Sequence, residues 1–197
     1  MVDALWRGDL RVHEISTGRL RWSEGGGFVM RLAVSADRRC WAYDRQDHPG
    51  LVVVREWPFD EHAPIALEGT VSALALAVNR EGTKVAVYGA AATPSTTGLA
   101  VYTRDDSGAW TASARTDRLS AFDPAVTMVW TDDDQVVLAL DSALRIFDAA
   151  LTPLGLLKTP PARDLSFAGG MLAVGDFDNG IAVPWRDVAS RLTSVDG

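Results

Sequence analysis

Apolar positions in this chain come in short paired runs. Residues 29–34 carry an alternating apolar pattern, turn at Ser35-Ala36-Asp37-Arg38 and continue as Cys40-Trp41-Ala42-Tyr43. The same construction recurs at 71–78, turning at Asn79-Arg80-Glu81-Gly82 into 84–88; at 126–130, turning at Asp132-Asp133-Asp134 into 135–140; and at 164–167, turning at Gly169-Gly170 into 171–174. An apolar run, a turn of Gly, Asp or Asn and a second apolar run predict a β-hairpin, because those turn residues accept the backbone angles of a tight reversal. Helical periodicity is confined to residues 187–192, where an acidic start precedes Val188, Ala189 and Leu192.

A further strand pattern follows each hairpin and also occurs once ahead of them: a turn residue, an aliphatic, any residue, an aliphatic and often an aromatic. It reads Asp9-Leu10-Arg11-Val12-His13, Gly50-Leu51-Val52-Val53-Val54, Gly98-Leu99-Ala100-Val101-Tyr102, Ser142-Ala143-Leu144-Arg145-Ile146-Phe147 and Gly180-Ile181-Ala182-Val183-Pro184. The last positions, 13, 54, 102, 147 and 184, lie 41, 48, 45 and 37 residues apart. A turn and a weaker strand follow at 19–22, 110–112 and 154–157, so the repeating order is hairpin, strand, turn, strand. A unit of about 40–45 residues built in this way has the size of one four-stranded β-propeller blade.

These segments resemble the WD40-like propeller family. Residues 10–20, from Leu10 through Thr17-Gly18 to Leu20, are similar to that family's third strand and the turn after it, as are Leu144-Arg145-Ile146-Phe147-Asp148, with Glu14 and Asp148 in the acidic position beyond the aromatic one. Ala33-Val34-Ser35-Ala36-Asp37 is similar to its first strand and turn. No Trp-Asp dipeptide occurs and no Gly-His precedes a blade, so the hydrogen-bond network those residues build in the family is not expected here. The resemblance implies an all-β fold, a single degenerate WD40-like propeller domain over residues 1–197, with partial first and last blades.

The blade count leaves the ring open to question. At about 40–45 residues per blade, 197 residues make about four to five blades, and five copies of the third strand stand against four hairpins, giving three whole units and two partial ones. Uncovered strand edges invite pairing with other chains. A small ring closed within the chain, a homo-oligomer and a place in a larger assembly would each cover them; association, with itself or another subunit, is the favoured expectation.

Composition narrows the partners. At 47% hydrophobic and 23% charged residues the chain has a globular balance, and no stretch approaches the roughly 20 apolar residues of a membrane span. The net charge of −7 repels phosphate backbones, so no nucleic acid and no membrane is expected among the partners. Residues 1–60 are neutral, and the whole excess lies beyond them. Cys40 is the only cysteine, which forbids an intrachain disulfide, and Met1-Val2-Asp3-Ala4-Leu5-Trp6-Arg7 has neither the basic nor the apolar region of a secretory signal; a cytoplasmic protein is expected.

Chemistry-bearing patterns are sparse. His13 falls on an aromatic strand position and is expected to pack there. His48 follows Asp47 and His62 follows Asp60-Glu61, but a spacing of 14 residues without a flanking Cys does not define a zinc site. Asp176-Phe177-Asp178-Asn179-Gly180 begins like a calcium loop, yet a strand expected at 181–185 interrupts it, so a turn is the better reading. The three aspartates at 132–134 are read the same way, as turn residues bonding their own backbone. Gly25-Gly26-Gly27 lacks the Lys and helix of a phosphate loop, and no Gly-x-Ser-x-Gly occurs. No catalytic residue, cofactor or metal is therefore expected. Trp22, Trp41 and Trp130 are assigned to the core, while Phe28, Trp57, Phe59, Trp110 and Phe177, with His48, fall in turns and loops and are the candidate partner-binding residues. The small, polar stretch 90–97 is expected to be a functional or mobile loop. Together with the resemblance, these points imply a non-enzymatic protein–protein interaction module or scaffold; the alternative is a propeller enzyme or small-ligand, carbohydrate-binding protein using the central channel.

Overall fold

The structure, a computed structural model, describes residues 2–4, 10–25, 29–45, 48–58, 62–66, 70–91, 97–117, 119, 126–140, 142–176 and 178–193. The fold is all-β. The first sheet holds β1 (Val2–Ala4), β2 (Leu10–His13) and β3 (Leu20–Glu24); the second, β4 (Val29–Val34), β5 (Cys40–Arg45), β6 (Leu51–Glu56) and β7 (His62–Ala66). The third holds β8 (Thr70–Val78), β9 (Lys84–Ala91), β10 (Thr97–Arg104) and β11 (Trp110–Asp117), and the fourth β12 (Thr127–Trp130), β13 (Val136–Leu140), β14 (Ala143–Phe147) and β15 (Pro153–Lys158). The fifth, β16 (Asp164–Ala168), β17 (Met171–Gly175) and β18 (Gly180–Pro184), leads into a one-turn helix, α1 (Trp185–Ala189). Every sheet is an antiparallel meander in chain order. The five repeat strands of the sequence are β2, β6, β10, β14 and β18, and the four hairpins are β4–β5, β8–β9, β12–β13 and β16–β17. Three sheets thus hold four strands each and two hold three.

Some boundaries differ from the sequence expectation. β7 carries Pro64, which argues against a strand interior; it forms because β7 is the outer edge of its sheet, where a missing N–H is tolerated. The strand expected to run through residue 185 ends at Pro184, and the helix starts at Trp185 and stops at Ala189. Pro184 stands just outside the helix at φ −55°, ψ 132°, and Trp185 turns inward, 7% exposed and edge-on to Phe167 at 5.9 Å. Ala90 and Ala91 belong to β9 and Thr97 to β10, so the stretch read as a loop is partly ladder; residues 92–96 lie outside the described residues.

The repeat extends to the turns. Ser35, Asn79 and Thr131, each directly after the first strand of its sheet, are buried polar residues. Their side-chain oxygens accept the N–H groups of Cys40 at 3.0 Å, Lys84 at 2.9 Å and Gln135 at 3.2 Å, where the second strand resumes. Three residues after each cap the chain passes through a left-handed residue: Arg38 at φ 62°, Gly82 at φ 72° and Asp134 at φ 58°. A second repeated turn lies beyond β2, β10 and β14. There a register shift falls between Val12 and His13, Val101 and Tyr102, and Ile146 and Phe147, and an acidic residue follows in each case. Asp105 Oδ1 accepts the N–H groups of Ser107 and Ala109, and Asp148 Oδ1 those of Ala150 and Thr152. Such bulges sharpen the local twist and aim the turn.

The apolar core lies between the sheets. Tyr43, Leu10 and Val53 with Trp22 and Leu32 join sheets one and two; Cys40, Val52, Val54, Leu76, Val85 and Val87 join two and three. Tyr88, Leu99, Trp130, Val136 and Leu138 join three and four, and Val137, Leu144, Ile146, Leu165, Leu172, Trp185 and Val188 join four and five. β13 is consequently buried along its whole length, which is why it reads as an unbroken apolar run: a strand covered on both faces has no polar side to alternate with. Burial also pushes the Cys40 thiol, with the charge of Glu56 adding to the effect, up to about 12, so it stays protonated.

Polar links fix neighbouring sheets against each other. Trp130 Nε1 donates to the Ala77 carbonyl at 3.1 Å, and Arg31 Nε donates to that of Leu74. Between sheets one and two, Glu24 accepts from Tyr43 Oη, from Arg55 Nη2 at 2.8 Å and from Arg45 Nη1 at 2.9 Å, while Arg55 stacks on Trp22 at 4.9 Å. Burial alone would raise the Glu24 pKa; the hydrogen bonds from Tyr43 and Arg55 and the charges of Arg55 and Arg45 outweigh it and hold it below the usual carboxylate range.

Candidate functional site

The first strands of four sheets, β4, β8, β12 and β16, pack side by side in series. Along them runs a cavity of about 340 Å³, walled by Leu32, Ala75, Val129 and Phe167 and carrying Arg31, Arg80, Asp132 and Asp164 as its charged groups. Arg31 Nε and Nη1 already serve the carbonyls of Leu74 and Met30. Arg80 Nη1 donates to Asp132 Oδ1 at 2.8 Å, bridging the turns of sheets three and four. Asp164 enters from β16 and is exposed. Among the described lining residues there is no histidine, cysteine or lysine, and among the described residues no group of three or more His, Cys, Asp or Glu is placed to hold a metal ion. The arrangement can hold a polar ligand between cationic and anionic groups.

A second cavity, of about 350 Å³, opens between β14–β15, β17–β18 and α1, with a predominantly apolar lining that includes Leu144, Leu157, Leu172, Val174, Ile181 and Val183. A third, of about 190 Å³, lies beside Met30, Asp44 and His48. Burial raises the Asp44 pKa, and the backbone N–H of Arg31, 2.6 Å from Oδ1, opposes that shift.

The candidate residues from the sequence distribute over two rims. Trp57 follows β6 and is 47% exposed, its N–H donating to the Arg39 carbonyl at 2.8 Å. Trp110 opens β11 opposite Arg104 and is half-buried against the core between sheets two and three. An ion pair between Glu56 and Arg104 links the ends of β6 and β10, so Trp57 and Trp110 share a rim with the Ser35, Asn79 and Thr131 turns. His48 sits in the β5–β6 turn, at the opposite end of the same strands. Phe28, Phe59 and Phe177 lie outside the described residues, and for His62 only the backbone, at the start of β7, is described.

Trp41 and Trp130 are core residues at 4% and 6% exposure, whereas Trp22 is half-buried. His13 is half-buried with Nδ1 3.1 Å from the Gly18 carbonyl oxygen, bracing a turn. The Asp132–Asp134 segment is a turn, but its cap is Thr131; the aspartate side chains reach the next sheet instead, Asp132 to Arg80 and Asp134 to Lys84. Asp176 does bond its own turn, its Oδ1 accepting the N–H groups of Asp178 at 2.8 Å and Asn179 at 2.7 Å, which lower its pKa. Sequence reasoning missed the Arg80–Asp132 bridge and the apolar cavity beside β18, because both join residues far apart in the chain.

Compared with known protein families and with curated proteins, the chain matches none. Among the described residues no helix is long and apolar enough to cross a membrane.

Proposed function

We propose that this chain is a non-enzymatic protein–protein interaction module built as a WD40-like propeller of four-stranded blades. Five sequential meanders, first strands packed side by side and core clusters lying between consecutive sheets support the propeller architecture. The observation that carries the function is β18. In the other four sheets a further strand, β3, β7, β11 or β15, lies beside the equivalent strand, but among the described residues nothing pairs with the outer edge of β18, and Ile181 on it is 63% exposed. An uncovered apolar edge on a packed scaffold is a docking element.

The cavity along β4, β8, β12 and β16 favours a second reading, a small polar ligand such as a carbohydrate held between Arg80, Asp132 and Asp164. Light scattering over about 1–200 μM, paired with thermal melts against soluble oligosaccharides, separates the two. The interaction reading expects a mass above one chain within that range. A chain that stays single throughout and gains thermal stability from a saccharide, with the gain lost in Asp164→Asn, overturns it.

A further inference from the structure

The gap between the fourth and fifth sheets is only partly filled. Trp185 and Val188 of α1 pack into it with Val137, Ile146 and Leu172, and the space that remains is the apolar cavity of about 350 Å³. Its walls follow from strand alternation. Leu172 pairs with Val183 and Val174 with Ile181 on the face of the fifth sheet turned to the fourth, and Leu144 pairs with Leu157 on the face turned back. Leu144, Leu172 and Val188 are buried, whereas Ile181 is 63% exposed, so the cavity is closed at its base and open at β18.

Size and rim together define an occupant. An apolar protein cavity of about 150 Å³ accepts benzene, so this one has room for an alkyl chain of about eight to twelve carbons with a small head group. Lys158, Asp176, Asp187 and Arg191 are the charged groups of the lining, and all four are exposed. The two acids are engaged: Asp176 Oδ1 accepts the N–H groups of Asp178 and Asn179, and Asp187 lies 3.7 Å from Arg186. Neither Lys158 nor Arg191 makes an ion pair among the described residues. Thr159, next to Lys158 in the same lining, has a buried Oγ1 without a hydrogen-bond partner, and buried hydroxyls are ordinarily satisfied.

We propose that this cavity binds a medium-chain carboxylate, its alkyl chain against Leu144, Leu157, Leu172 and Ile181 and its head toward Lys158, Thr159 and Arg191. A cationic amphiphile would meet two like charges there, and a neutral one would leave both cations without a counterion; the carboxylate alone satisfies them, with the Thr159 hydroxyl as a further donor. Burying the chain also removes the exposed apolar wall at Ile181 from water. The site is separate from the cavity along β4, β8, β12 and β16, and it stands independently of both readings given for that cavity and for the β18 edge. With about ten non-hydrogen atoms in the ligand and an open mouth, a dissociation constant of about 0.1–1 mM is expected.

The test titrates the full chain with octanoate, octanol and butyrate to about 5 mM and follows the methyl NMR signals of Leu144, Ile181 and Val183. Octanoate should shift all three saturably, octanol should bind at least about threefold more weakly, and butyrate, a head without the chain, should not saturate. Lys158→Glu combined with Arg191→Glu changes two exposed positions; it should weaken octanoate at least about tenfold and leave octanol within about twofold. Ile181→Ser, at another exposed position, should weaken both probes at least about threefold. The proposal is overturned if octanoate gives no saturable shift at these methyls, or if octanol binds the wild type as tightly as octanoate does. It is equally overturned if the double charge variant keeps its octanoate affinity or loses both probes alike, or if Ile181→Ser changes neither.

Discussion

Gly82→Ala probes the join between the second and third sheets. Gly82 lies at φ 72° in the β8–β9 turn, and a Cβ added there would sit 2.5 Å from Cys40 Cβ, a buried atom of β5. Two costs follow. Holding alanine in the left-handed region costs about 1 kcal/mol relative to glycine. Forcing a methyl against a packed neighbour that cannot rotate away adds about 1–3 kcal/mol. The expected loss is therefore about 2–4 kcal/mol, a large part of the stability of an ordinary domain. Gly18→Ala is the matched control: Gly18 has φ 68°, with nothing within 4 Å of the added Cβ, so only the first cost of about 1 kcal/mol applies. Urea unfolding followed by tryptophan fluorescence compares both with the wild type at equal m-value. Because the close contact is Cβ to Cβ, Cys40→Ala removes the sulfur without relieving it, and adding it to Gly82→Ala should recover no stability. Equal losses for Gly82→Ala and Gly18→Ala, within about 0.5 kcal/mol, would refute the reasoning and with it the tight apposition of β5 and the β8–β9 turn.

Glu24→Gln should cost about 1–3 kcal/mol near neutral pH, because a half-buried carboxylate receiving Tyr43, Arg45 and Arg55 is neutralised. Since the folded pKa of Glu24 is held below its unfolded value, its contribution is present above the unfolded carboxylate range, about pH 4.3, and is lost as pH falls through the folded pKa. The gap between wild type and variant should accordingly close in acid melts, and a gap independent of pH would sink the network. Asp44 has the opposite sign: its raised folded pKa favours folding below the unfolded pKa and ceases to do so as pH rises through the folded one, so Asp44→Asn should lose any stabilising effect as the medium is acidified. Gly155→Ala places a Cβ 2.7 Å from that of Leu192 and should push the C-terminal segment off β15. The Leu156–Thr193 pairing, with N···O distances of 3.1 and 3.0 Å, would then open, and hydrogen exchange at those two amides should accelerate at least about tenfold; unchanged protection would contradict it.

Legibility in the sequence followed burial. β5, β9 and β13 lie between sheets, carry long apolar runs and could be placed from pattern alone, as could the turns at Gly82, Asp134 and Gly169-Gly170, whose residues take left-handed backbone angles. β7 could not, because an outer strand faces solvent and its one proline reads as a break. Part of the helix boundary was lost for a tertiary reason: Trp185 continues the apolar pattern of β18 but turns inward to meet Phe167. The aspartates of residues 132–134 show the same limit at finer grain. Local chemistry identifies a turn, but whether a carboxylate caps its own backbone or crosses to Arg80 and Lys84 depends on what the neighbouring sheet brings alongside.

The edge of β18 combines both kinds of information. Its residues, Gly180 to Pro184, are those of the repeat, so a strand was expected there. Which of its backbone groups point outward follows only from its ladder with β17, and a shift of one residue would have turned Ile181 and Val183 outward instead and left Gly180, Ala182 and Pro184 bonded within the sheet. In the register that exists, the residue without an N–H is at the end of the outward row. A charge or a proline at the middle of an edge strand discourages pairing. β18 carries neither, and this sets it apart from β7, whose proline occupies the central position of an outer strand.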